Sequence, residues 1–153
     1  MNRINRWEYS VRLIIILLAI FSPFLLLILH GYESSLSNYW ETEMQPIFIL
    51  SNATTSYFLY RIKGWEIPAL LLLLLTAFSV EYYGTTHNML ATTFFISCLL
   101  PLYRKKEMRM IFYLYVSSVI FVPISLFVFE TISVVLLCSY HLIILNRVYR
   151  LNK

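Results

Sequence analysis

Residues 13–30, LIIILLAIFSPFLLLILH, run for 18 positions without a Lys, Arg, Asp or Glu. As a helix rising about 1.5 Å per residue, such a run covers roughly 27 Å, close to the thickness of the hydrocarbon core of a bilayer. It exceeds the apolar region of a cleaved signal peptide and no A-x-A site follows it, so it reads as an uncleaved membrane span. The rest of the chain has the same character: 59% hydrophobic and 13% charged over 153 residues, with a mean hydropathy of +0.71. Soluble domains carry about a quarter charged residues. The reading is an all-α polytopic membrane bundle, a single integral membrane domain.

Working outward from the first run, further apolar stretches cover 46–62, 67–83, 87–103, 110–129 and 131–145. The run 46–62 is the weakest, because Ser51, Asn52, Thr54, Thr55 and Ser56 interrupt it. The last two are divided at Glu130, since 36 unbroken helical residues would measure about 54 Å and overshoot a bilayer. Six spans result. Gly31, Gly64 and Gly84 are placed just past the ends of the first three helices, Pro46 and Pro68 near helix starts, and Pro23, Pro101 and Pro123 within spans as kinks.

With six spans, all 12 basic residues fall on one side: Arg3, Arg6 and Arg12; Arg61 and Lys63; Arg104, Lys105, Lys106 and Arg109; Arg147, Arg150 and Lys153. Basic residues stay cytoplasmic in short loops, so both termini are expected in the cytoplasm. The other side receives Glu33, Glu41, Glu43, Glu81 and Glu130. A net charge of +4 scattered in small clusters beside apolar runs is a topology signal, not a nucleic-acid surface. Cys98 and Cys138 both lie inside apolar runs and imply no disulfide framework.

Between the first two runs lies the one extended polar stretch, Gly31 to Pro46, GYESSLSNYWETEMQP. Sixteen residues are more than a helix hairpin requires, since such connections run about 2 to 8. It is expected to fold back onto the outer helix ends and to offer Ser35, Ser37, Tyr39, Trp40 and Glu41 as a contact surface or the lip of a cleft. His30, His87, Glu81 and Glu130 sit at similar depth. An imidazole with carboxylates could perform acid–base chemistry, which makes His87, Glu81 and Glu130 the candidate catalytic residues. No metal-ligand spacing or cofactor motif is present, and no metal or cofactor is expected. Within the spans, Asn52, Thr55, Ser56 and His141 are expected to bond neighbouring helices, because polar groups facing lipid are costly. Cys98, Cys138 and His141 have comparable depth and could meet near the midplane.

The run Ser35-Leu36-Ser37-Asn38-Tyr39-Trp40-Glu41-Thr42 resembles the S-[IL]-S-x-Y-[YW]-x-T signature of a family of small bacterial multi-spanning membrane proteins, as do His87 before Ala91, Phe94 and Phe95, and Glu130-Thr131-Ile132-Ser133. The resemblance covers most of the chain after Gly31 and implies a multi-pass protein of the bacterial inner membrane. A more distant similarity is to membrane zinc hydrolases of the alkaline-ceramidase and adiponectin-receptor type. The chain departs from these at positions 137 and 145, both Leu, so that His141 has no H-x-x-x-H partner, and it contains no Asp.

The expected function is that of a non-catalytic subunit or partner-binding module using the outer stretch 31–46. Its partners would be the bilayer and a membrane protein or a second copy, without nucleic acid. A lipid hydrolase at the outer face, and a solute or ion path lined by the second span, are the alternatives.

Overall fold

The computed structural model of the chain describes residues 5–151; Arg3 and Lys153, counted above among the basic residues, lie outside them. The described residues form seven α-helices and no strand: α1 (Arg6–His30), α2 (Gln45–Tyr60), α3 (Glu66–Ala77), α4 (Val80–Ser97), α5 (Leu99–Arg104), α6 (Arg109–Ser117) and α7 (Leu126–Leu151). Two are long and apolar enough to cross a bilayer: α1, with 25 residues and an 18-residue stretch of mean hydropathy 2.8, and α7, with 26 residues and such a stretch of 2.0. The apolar helix α3 has 12 residues and is about 18 Å long.

Local chemistry explains the borders of α1. The side chain of Asn5 accepts from the N–H of Glu8 at 2.7 Å, satisfying one of the donors a helix start leaves open. At the other end Gly31 has φ 106, a conformation only glycine adopts without strain, and its N–H reaches Leu27 O at 2.9 Å. Pro23 lies inside the helix without ending it. A proline withholds the N–H that the carbonyl four residues back would receive, here Ala19. The hydroxyl of Ser22 donates to that carbonyl at 3.1 Å and takes over its bond.

Helices α1 and α7 run antiparallel. Tyr9 donates to Asn146 Oδ1 at 2.7 Å and stacks on Tyr149 at 4.1 Å; at the opposite end Phe127 N–H donates to Ser34 O at 3.0 Å. Helix α2 packs against α1 and α3, and α3 against α4; Ser56 donates to Ala69 O at 2.6 Å between α2 and α3. The core is apolar, with Ile16, Phe58, Leu72, Phe94 and Leu137 in one cluster. The outward face of α1 is apolar as well: Leu18, Phe21 and Ile28 are 59%, 61% and 79% exposed, a surface suited to lipid and not to water.

These contacts gather the charges. Arg12 lies over the ring of Phe58, three residues before Arg61, and Glu107 pairs with Arg147, so the basic segments share one end of the bundle. Glu33, Glu41, Glu43, Glu81 and Glu130 meet at the other.

Several borders differ from the sequence reading. The expected turn at Glu130 lies instead at residues 122–125, where Pro123 breaks the helix and Ser125 Oγ caps α7 by accepting from Val128 N at 3.2 Å. Pro123 is therefore in a turn and not within a span. Glu130 sits in α7 and is buried. The stretch 67–83 breaks at Phe78 and Ser79; Ser79 caps α4 by accepting from Tyr82 N at 3.2 Å. Glu81 thus begins α4, and Gly84 lies inside that helix and is no C-terminal cap. The stretch 87–103 is divided at Cys98 into α4 and α5, because the ring of Pro101 crowds the carbonyl of Ser97, the last residue of α4. The stretch 110–129 is helical to Phe121, through α6 and a 3₁₀ turn, then broken at 122–125, and its last four residues already belong to α7.

Candidate functional site

The polar stretch 31–46 is folded onto the acidic end as a fixed cap. Ser35 starts a 3₁₀ helix, Leu36–Glu41, by accepting from Ser37 N at 3.1 Å. The hydroxyl of Ser35 and the N–H of Leu36 both donate to Glu130 Oε2, at 2.8 and 2.6 Å. Tyr39 is fully buried, donates to Gly31 O at 2.5 Å and packs edge-on to His30. Trp40 Nε1 donates to Thr76 O at the end of α3 at 3.0 Å, and Glu41 accepts from the N–H of Glu81 at 3.0 Å. Thr42 accepts from Met44 N at 3.1 Å. The ring of His30 lies between Glu43, at 2.9 Å, and Glu33, at 3.2 Å. The hydrogen bond from His30 holds the Glu43 carboxyl below its ordinary 4.5.

Beneath the cap is a cavity of about 540 Å³, within the size range of small-molecule sites. The cap contributes Ser34, Ser35, Ser37 and Asn38; α7 contributes Leu126, Phe129 and Glu130; Tyr115, Val116 and Val119 add to the wall. From α4 come His87, Ala91 and Phe95 together with Asn88, Thr92 and Ile96, and Leu99 follows at the start of α5. The six α4 residues fall in two i, i+4 rows, which place them on one helix face. The wall mixes polar groups, among them His87, Asn88, Thr92 and Glu130, with apolar ones.

His87 is 1% exposed. Its Nδ1 lies 2.7 Å from Phe78 O, the carbonyl released by the break between α3 and α4. A carbonyl only accepts, so Nδ1 donates this bond. Nε2 of the same ring is buried and has no hydrogen-bond partner. Glu130 is buried too, and its two donors from the cap compensate a carboxyl group that would be costly to bury alone.

Of the residues singled out in the sequence, His87, Glu130, Ser35 and Ser37 line this cavity, whereas Tyr39, Trp40 and Glu41 are engaged in holding the cap and Glu81 contributes its backbone. Asn38, Asn88 and Thr92 also line it and were not singled out; the pair Asn88 and Thr92, one turn apart beside His87, was the available signal. Asn52, Thr55, Cys138 and His141 border a second, smaller cavity of about 80 Å³ in the core. Ser56 bonds α3 instead. His141 differs from expectation: it packs against the rings of Trp65, Tyr140 and Phe58, at 4.4, 5.1 and 5.7 Å, and its Nε2 has no hydrogen-bond partner. Cys98 borders neither cavity, and both cysteines are free thiols. Among the described residues no three His, Cys or Glu side chains come together in a way that would hold a metal ion. Compared with protein-family models, curated proteins and solved structures, the chain has no match.

Proposed function

We propose that the chain is a six-span inner-membrane protein with both termini in the cytoplasm, and that it is a non-catalytic module binding an amphiphile in the cavity under residues 31–46. The acidic end then faces outward and the basic end the cytoplasm, as expected when Lys and Arg remain inside. The exposed apolar face of α1 supports contact with lipid. The observation that carries the binding role is the mixed cavity wall: the serine hydroxyls of the cap, Asn38, His87, Asn88 and Glu130 share it with Phe95, Ile96, Leu99, Val116 and Val119. Such a wall suits a ligand with a polar head and a hydrocarbon tail.

A second reading, hydrolysis of a lipid ester or amide in the same cavity, is favoured by the hydroxyl of Ser35 donating to Glu130 beside His87. A hydroxyl on a carboxylate is a nucleophile–base arrangement. The test is extraction of the protein purified in mild detergent, with mass spectrometry of what it carries. A stoichiometric amphiphile is expected, lost when Ala91→Phe or Ile96→Trp fills the cavity. Ile96 is 61% exposed and so tolerant of the larger ring. Retention by both filled variants would refute the site, and recovery of cleaved products that disappear in Ser35→Ala would favour the hydrolase.

A further inference from the structure

At the basic end a groove of about 430 Å³ lies between residues 104–108 and the last turns of α7. Arg104, Lys105, Lys106 and Arg147 border it and are exposed, while Met108 is buried and Val148 half-buried. Lys105 is extended (φ −92, ψ 90) between α5 and the 3₁₀ turn Lys106–Met108, so the three consecutive cations flank a break in the chain. Glu107, the one carboxylate bordering the groove, pairs with Arg147. Arg104, Lys105 and Lys106 have no ion pair among the described residues.

We propose that this groove binds the headgroup of an anionic phospholipid. The phosphate would lie among the cations, and the start of the acyl chains over Met108 and Val148. A basic pocket at the cytoplasmic end of membrane helices meets a leaflet rich in anionic lipid, and the phosphate can take charge-assisted hydrogen bonds from Lys and Arg. The apolar lining decides between lipid and free phosphate, because only a lipid has hydrocarbon to place there. The inference rests on the membrane reading but not on any ligand of the other cavity.

The test is native mass spectrometry of the full chain after equilibration with equal amounts of phosphatidylglycerol and phosphatidylcholine. Preferential retention of phosphatidylglycerol is expected, falling at least about tenfold in Lys105→Gln/Lys106→Gln/Arg147→Gln and about fivefold in the single variant Lys106→Gln. Lys105→Arg/Lys106→Arg should keep it. So should Arg61→Gln/Lys63→Gln, which removes charge from the same end but outside the groove. Equal retention of both lipids, or equal loss in the Arg61/Lys63 variant, overturns the proposal. So does full displacement by inorganic phosphate at matched concentration, which would assign the groove to a free anion.

Discussion

At the acidic end, Ser35, Trp40 and Glu41 hydrogen-bond α7, α3 and α4 and Tyr39 packs on His30 at the end of α1, so that one short segment ties four helices together. At the basic end the helices meet through the stacked rings of Tyr9 and Tyr149, the bond from Tyr9 to Asn146 and the Glu107–Arg147 pair, and much of the positive charge has no partner. The two ends separate two requirements. A cavity needs a wall in a fixed position, which directional hydrogen bonds in a buried site provide. The headgroup groove proposed at the basic end needs charge left over, and packed rings hold helices together without consuming it.

Breaking the cap is the most damaging test of this contrast. Glu130→Ala leaves the hydroxyl of Ser35 and the N–H of Leu36 without their acceptor, and should destabilise the protein by about 3 kcal/mol. Chemical denaturation in detergent measures it, and a loss no larger than that of a surface mutation would mean the cap does not depend on this bond. Tyr9→Phe at the basic end removes one half-buried hydrogen bond and preserves the stack, so about 1 kcal/mol is expected. A loss equal to that of Glu130→Ala would erase the distinction between the ends. The smallest effect is the pH dependence at His30 and Glu43. Because the folded carboxyl of Glu43 is held below its ordinary 4.5, its contribution is present above that value and fades as the pH falls through the depressed one. The pair is exposed, so the slope should be shallow, and Glu43→Gln should flatten it in acid unfolding curves.

Hydropathy made α1 and the start of α2 legible, because an uninterrupted apolar run and a proline at a helix start are local signals. It failed at Glu130 for a physical reason. A lone carboxyl group in an apolar run reads as a border unless its donors are known, and those donors, Ser35 and Leu36, lie 95 and 94 residues away. The true turn at 122–125 was concealed because Val122 and Ile124 are apolar and only Pro123 and Ser125 mark it. The same holds for the site. His87 and Glu130 stood out by chemistry, but their shared cavity depends on how α4, α7 and the cap are packed, and no spacing along the chain encodes that. Tyr39 and Trp40 looked like a surface because two adjacent aromatics in a polar stretch suggest one; the acceptors at Gly31 and Thr76 turn them inward.

The distance along the chain between Ser35 and Glu130 also sets an order of events. The segment that forms the cap precedes its acceptor in α7 by 95 residues, and a contact closing so long a loop is late by the entropy of bringing its ends together. Until α7 has joined the bundle, the hydroxyl of Ser35 and the N–H of Leu36 must be satisfied by water or by other polar groups. The cavity under the cap is therefore completed only once α7 has docked.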